Sequence, residues 1–424
     1  MEIPVLIKIL ISLTIILVAN KVIKNLAISI LAGTATLALW SGHSISEIGS
    51  IAWKEFSHLD NAMLSAIIFL VIWLSSQMAK AGIMGDLVNT IKAKLSVKGA
   101  IAVLPAIIGL LPMPGGAIFS APLVDDCDEK SIIDPVLKTK INYWFRHIWE
   151  YTWPLYPGLI LTSNIVDLPI WQLFLLGIPM TLAAVITGYF FLLRKVKNQD
   201  IVKQKAGKGI LKLIAPIVVV IVVYIIILIF FPKISQISKY LPMSIGLISA
   251  MILLQFERPL TASDWKTVII NKKPVIMVLI VVLVSIYGAF IEARMPNGVL
   301  LMDQMRIELD NLGIPIITLI MIIPFVSGLA TGITVGFAGA SIPIAMSLLG
   351  SDPAFYQILS TVSLAFSFGF MGVMMSPVHI CLIVTNEHFK TSLVKSLTSL
   401  LPLIISMLIF ALLYSQVIIR AIFL

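Results

Sequence analysis

Charge is what this 424-residue chain has least of: 12% of its residues are Asp, Glu, Lys or Arg, about half of the roughly 25% that an ordinary soluble domain carries. With 59% hydrophobic residues beside so few solvated ones, a soluble globular fold is excluded and no large soluble domain has room. Only two cysteines are present, Cys127 and Cys381, in different settings and without CxxC or Cys/His spacing. Neither a disulfide framework nor a zinc site is suggested. The chain also lacks HExxH, GxSxG and a P-loop, which leaves a metalloprotease, a serine hydrolase of that motif and an ATP-driven pump without support. The first apolar run is followed by Lys21 and Lys24 with no small-residue cleavage site, so it reads as a retained helix rather than a signal peptide.

What is present is apolar length. Runs of about 20 residues, enough to cross a hydrocarbon core of roughly 30 Å as a helix, recur near 4–20, 25–41, 60–79, 141–165, 170–193, 213–231, 240–256, 274–292, 355–387 and 394–419. Two further apolar stretches, about 99–125 and 313–350, are cut by Leu111-Pro112-Met113-Pro114-Gly115-Gly116 and by Thr331-Gly332-Ile333-Thr334-Val335-Gly336. Broken backbone at membrane depth is tolerated only where it is buried in protein or lines a wet cavity, so these stretches read as re-entrant helical hairpins. The mixed stretches before them, 82–98 and 296–312, fit amphipathic helices at the membrane surface.

The excess of 30 Lys+Arg over 21 Asp+Glu belongs, in such a chain, to cytoplasmic loops, and no nucleic-acid partner is expected. The loop 194–212 carries seven basic residues against the single acid Asp200, which makes it cytoplasmic. Counting helices from it puts the amino terminus outside, the acidic 42–61 loop outside, the stretch 82–98 inside, Arg258, Lys266, Lys272 and Lys273 inside, and 296–312 outside. The first hairpin then inserts from the cytoplasm and the second from outside. Lys233 and Lys239 in an outside loop, and the acid-rich inside stretch 125–140, fit less well.

Opposite insertion of two hairpins predicts an inverted repeat, and matching residues are present. Gly115, Ala117, Ser120 and Pro122 recur as Gly336, Ala338, Ser341 and Pro343 at an offset of 221, and Pro154 and Thr162 recur as Pro377 and Thr385 at 223. The expected fold is thus an all-α polytopic membrane protein with two inverted-topology repeats, about ten transmembrane helices and two re-entrant hairpins. Residues 1–193 form the first repeat, 194–212 a basic linker and 213–424 the second. Pro154/Pro157 and Pro377 should break the spans 141–165 and 355–387, because proline removes a backbone bond and clashes with the preceding turn.

Two hairpin tips and two broken helices meeting near the midplane is the plan of a secondary transporter, whose half-helix amino termini attract anions while freed carbonyls hold Na+. The arrangement resembles the ion transporter superfamily, which includes citrate, gluconate, C4-dicarboxylate and sodium/dicarboxylate carriers. In particular, the Pro-Met-Pro-Gly-Gly hairpin and the segment Trp144-Phe145-Arg146-His147-Ile148-Trp149-Glu150 resemble an uncharacterised integral-membrane family placed in that superfamily. The Ser-Asn-Thr tip of the sodium/dicarboxylate branch is not present as such. The resemblance implies a scaffold near the start of each repeat, a mobile body holding both hairpins that moves like an elevator, and a homodimer in the cell (inner or plasma) membrane.

The polar atoms of the expected site are Gly115 and Gly116, Ser120, Thr162, Ser163, Asn164, Ser341, His379, Thr385 and Asn386, with Arg146, His147 and Glu150 set apart because Ser363–Ser376 carries no charge. Each hydroxyl has a bland alternative, bonding back to the preceding helical turn. From Lys140, at a rise of 1.5 Å per residue, Arg146 lies about 9 Å and Glu150 about 15 Å along the helix, inside the hydrocarbon layer. A central charge costs at least about 2.5–3.5 kcal/mol on insertion scales, so it marks a functional candidate unless the two simply neutralise each other. The expectation is a secondary active transporter of a small organic anion, a carboxylate or sugar acid, coupled to Na+ or H+. Substrate contacts would come from Gly115, Gly116, Ser120, Arg146, His147, Thr162, Ser341, His379 and Thr385, and ion coupling from Ser120, Glu150, Asn164, Ser341 and Asn386. No enzyme activity and no cofactor are expected, and no metal beyond possible Na+. The alternatives are an ion channel, since re-entrant backbone also builds selectivity filters, and an intramembrane enzyme. The acids Asp125, Asp126, Asp128 and Glu129 around Cys127 read as a solvated loop rather than a divalent-metal site.

Overall fold

The structure is a computed structural model, and it describes residues 3–83, 85–86, 90, 95–110, 116–128, 132–196, 210–270, 272–296, 298–350 and 352–423. Most of the basic linker 194–212, part of the stretch 82–98 and the tip 111–115 with Gly115 lie outside the described residues. Among the described residues the only non-helical pairing is an isolated bridge between Arg294 and Leu300. Among the described residues six helices are long and apolar enough to cross a membrane: Asn61–Lys80, Ile170–Lys195, Leu213–Phe230, Ala262–Ile291, Phe355–Met374 and Leu393–Phe423. Shorter apolar helices, among them Leu26–Trp40, Leu241–Glu257, Ile316–Thr331 and Thr334–Ser347, accompany them. Their outer faces stay apolar, as at Ile225, Ile226, Ile229 and Phe230, a surface that only lipid can cover. The chain is an all-α polytopic membrane protein.

The two halves pack in matching ways. Val5–Ile23 runs along Leu26–Trp40, and Ile210–Phe230 along Leu241–Glu257; Leu26–Trp40 then packs on Lys272–Ile291, as Leu241–Glu257 does on Leu59–Lys80. A glycine sets the close approach in each half, since a Cβ at Gly33 would strike the Ile16 side chain and one at Gly246 would lie 2.7 Å from the Val220 carbonyl. Small residues draw helices together where lipid supplies no hydrophobic drive. The second bundle holds the hairpins. Limbs Val97–Gly109 and Ala117–Asp126 pack on Pro135–Arg146, and limbs Ile316–Thr331 and Thr334–Ser347 on Phe355–Met374. The second hairpin meets its helix backbone to backbone at Gly328 and Gly372, where a Cβ would fall inside the contact distance of Gly369 and Phe325 carbonyls.

Polar contacts tie the loops to neighbouring helices. Glu308 of the surface helix Leu301–Leu312 accepts the backbone N–H groups of Val5 and Leu6 at 2.8 and 2.9 Å, where the helix dipole favours a carboxylate. Arg258 donates to Asp86 and to the Ala81 carbonyl. Several of the charges that fit the orientation less well are paired: Lys239 with Asp167 at 2.5 Å, and Asp125 and Asp128 with buried Lys138 at 2.5 and 3.3 Å. Asp128 is buried and also accepts the N–H groups of Ile132 and Ile133, so it organises the return from the first hairpin instead of lying in a solvated loop. The stretch 42–61 holds an amphipathic helix, Ile45–Phe56, started by a capping box of Ser44 and Glu47, a Ser-x-x-Glu signal legible in the sequence.

Candidate functional site

The first broken span begins earlier than expected, because Asp134 caps the helix and Pro135 occupies its first turn. It breaks at His147, whose φ of −109° and ψ of 4° leave the α region. A 3-10 turn, Ile148–Tyr151, follows, and the helix restarts only at Pro157 and runs to Ile165. The second span stops at Met374 and restarts at Ile380 after Pro377. Pro157 and Ile380 are 223 positions apart, the offset at which Pro154 and Pro377 recur.

Both breaks lie against the hairpins, the first against Gly109 and Gly116 on either side of 111–115. At the first tip, a Cβ on Gly116 would run into the Arg146 guanidinium, and one on Gly109 would meet the Arg146 carbonyl. Tyr156 donates to the Gly109 carbonyl, and Trp149 Nε1 to the Ala106 carbonyl at 2.8 Å. At the second tip Gly332 takes a φ of +66°, and a Cβ there would also crowd Ser376 Oγ at 2.9 Å, so both backbone conformation and space require glycine. Its carbonyl accepts from His379 Nδ1 at 2.6 Å, and Thr334 donates to Glu150 Oε2 at 3.0 Å. Gly158, at the restart of the first broken span, abuts the Thr334 side chain. Four helices therefore start at one place: Ala117–Asp126, Thr334–Ser347, Pro157–Ile165 and Ile380–Phe389. Their amino-terminal N–H groups and dipoles give that place a positive potential.

Arg146, His147, Glu150 and His379 are all buried there. The two imidazoles face each other, Nε2 to Nε2, at 3.1 Å, and His147 Nδ1 pairs with the Tyr143 carbonyl at 2.6 Å. Cys381 Sγ lies within 4.8 Å of the ring nitrogens of both histidines. The spacing His379-x-Cys381 is the one sequence signal of this cluster, because His147 and Cys381 are brought together only by the crossing of the two breaks. Tyr143, Tyr156 and Thr334 were likewise missed.

The remaining expected residues, Ser120 apart, spend their polar atoms on their own helices or on neighbouring segments. Thr162, Ser341 and Thr385 donate to the carbonyls of Gly158, Phe337 and Cys381, one turn back in each case. Thr385 also accepts from Asn142 Nδ2 at 3.0 Å. Ser163 donates to the Leu168 carbonyl at 2.5 Å. Asn164 accepts from Tyr240 at 2.8 Å, and the Asn386 carbonyl oxygen accepts from Thr391 and Ser396 at 2.7 and 2.6 Å. Ser120 is fully buried, and its hydroxyl has no hydrogen-bond partner among the described residues. Of the residues expected to couple the ion, only Glu150 is in direct contact with the crossing. A separate cavity of about 410 Å³, lined by Lys54, Glu55, Asn164, Glu292 and Arg294, includes none of the crossing residues.

No curated protein matches the sequence as a relative. In fold the chain is similar to the crystal structure of the Alcanivorax borkumensis YdaH transporter, described as having an unusual topology, with a TM-score of 0.58, 12% identity and 89% of each chain covered. Residues 6–418 match the family described as "Protein of unknown function (DUF401)", and the chain belongs to that family.

Proposed function

We propose that this protein is a secondary active transporter that moves a small organic anion, a carboxylate or sugar acid, by elevator-type alternating access. The observation that carries the reading is the convergence of four helix amino termini on buried Arg146. Four partial positive charges and a guanidinium, removed from water, make a site whose natural occupant is an anion. The matched packing of the two halves supports an inverted repeat, and the basic loop 194–212 supports hairpins inserted from opposite sides. Likeness in fold to a transporter and resemblance to the ion transporter superfamily point the same way.

The driving ion is Na+ or H+. Glu150 is the buried carboxylate beside Arg146 and the second tip, and with Ser120 it is the candidate to face the coupling cation. The scaffold helices of a homodimer would stay fixed while both hairpins and both broken helices move as one body.

The test is a thermal-shift screen of purified protein against carboxylates, sugar acids and phosphorylated compounds, with and without sodium. A ligand at about 100 times its Kd stabilises the folded state by about 2.7 kcal/mol. Stabilisation that requires sodium identifies substrate and coupling ion together. In liposomes, Glu150→Gln should lose gradient-driven uptake and keep exchange of substrate for substrate. A screen in which no anion stabilises the protein under either condition overturns the reading.

A further inference from the structure

We infer that the crossing of the two broken helices is a binding site for one Zn2+ ion, held by His147 Nε2, His379 Nε2 and Cys381 Sγ. The three ligand atoms lie within 4.8 Å of one another, and all three residues are buried.

The argument begins with the tautomers. A backbone carbonyl only accepts, so His147 Nδ1 must donate to the Tyr143 carbonyl and His379 Nδ1 to the Gly332 carbonyl. Both neutral rings then turn a lone pair toward the other, across 3.1 Å. Two acceptors at that distance, away from water, require an electrophile between or beside them. A metal ion answers that requirement, and ring N–H groups bound to backbone carbonyls are the outer contacts that orient metal-binding histidines.

Dimensions and donor types agree with zinc. Zn–N bonds of about 2.0–2.1 Å at the tetrahedral angle put two nitrogens about 3.3 Å apart, and a Zn–S bond of about 2.3 Å puts sulfur about 3.6 Å from each. The imidazoles already stand at 3.1 Å and the sulfur lies no more than 4.8 Å from either, so the nitrogens need move only a few tenths of an ångström and the sulfur up to about 1.2 Å to reach those distances. Two imidazoles and a thiolate suit zinc, whereas Na+, Mg2+ and Ca2+ prefer oxygen. Three protein ligands leave a fourth position for water or an anion. His147 comes from the first break, while His379 and Cys381 come from the second. A bound ion would therefore clasp the two repeats at the point where their helices are interrupted.

Full-length protein purified in detergent, stripped with a chelator and dialysed against Zn2+, should hold one ion per chain by elemental mass spectrometry. Cys127→Ser, whose sulfur is not part of the cluster, should hold it as well. His147→Ala, His379→Ala and Cys381→Ser should each hold none. Because a buried variant can fail to fold, the wild-type protein is also loaded with Co2+, and a thiolate-to-cobalt charge-transfer band with intense tetrahedral bands is expected. Wild-type protein that takes up no Zn2+ and shows no such band overturns the inference, and the two imidazoles then share a proton. Uptake unchanged in all three variants overturns it equally. Neither measurement depends on anion transport, so this inference and the proposed function can fail separately.

Discussion

Gly116→Ala should weaken anion binding while leaving the fold intact. Gly116 has a φ of −58° and a ψ of −8°, an ordinary helical conformation that alanine accepts, and the loss of glycine at a helix amino terminus costs at most about 1 kcal/mol. The steric consequence falls on Arg146. The added Cβ would overlap Arg146 Nη2 and lie 2.7 Å from Cζ, where ordinary contact begins at 3.4 Å. The guanidinium must withdraw by about 1 Å, which takes a charge-assisted hydrogen bond out of its window of roughly 2.7–2.9 Å. Losing such a bond costs about 1.5–3 kcal/mol, or about 10- to 150-fold in affinity. Arg146→Gln removes the same interaction, so the double variant should bind no more weakly than Arg146→Gln alone. The assay is the concentration dependence of thermal stabilisation by whichever anion the screen identifies. Wild-type affinity in Gly116→Ala, or losses that add in the double variant, would refute the placing of Arg146 as the anion's partner.

Other outcomes follow from the packing. Lys138→Met strands the buried Asp128 carboxylate and should cost about 3–5 kcal/mol, measured by denaturation in detergent, with much of it restored by adding Asp128→Asn. Gly328→Ala drives a Cβ into the backbone of Phe355–Met374 and should destabilise by about 1–3 kcal/mol or more. Gly49→Ala, with nothing within 4 Å of the new Cβ, should stabilise Ile45–Phe56 by about 0.5–1 kcal/mol. A cysteine placed at Lys205 should be labelled only from the cytoplasm and one at Asp303 only from outside; labelling from the reverse side at either would sink the inverted-repeat assignment.

Much of the architecture was legible because the bilayer simplifies the problem. Apolar length marked the spans, and Pro and Gly marked their interruptions. The break at His147, ahead of Pro154, was not legible, since it depends on the contacts of Arg146 with Gly109 and Gly116. The polar residues separated by geometry: Thr162, Ser341 and Thr385 satisfy their own helices, and Asn164 and Asn386 bind neighbouring loops and helices. Residue type alone does not distinguish those uses from a site. Cys381 was passed over because its partners are remote in sequence or only two residues away, and no spacing rule covers a ligand set assembled by two crossing breaks.

The central claim is tested most directly by counterflow. Liposomes containing the purified protein and loaded with unlabelled anion should take up the labelled anion faster than empty ones, with saturation and without ATP. Flux that never saturates, ignores the internal anion and follows voltage as a conductance would contradict the account and make the protein a channel.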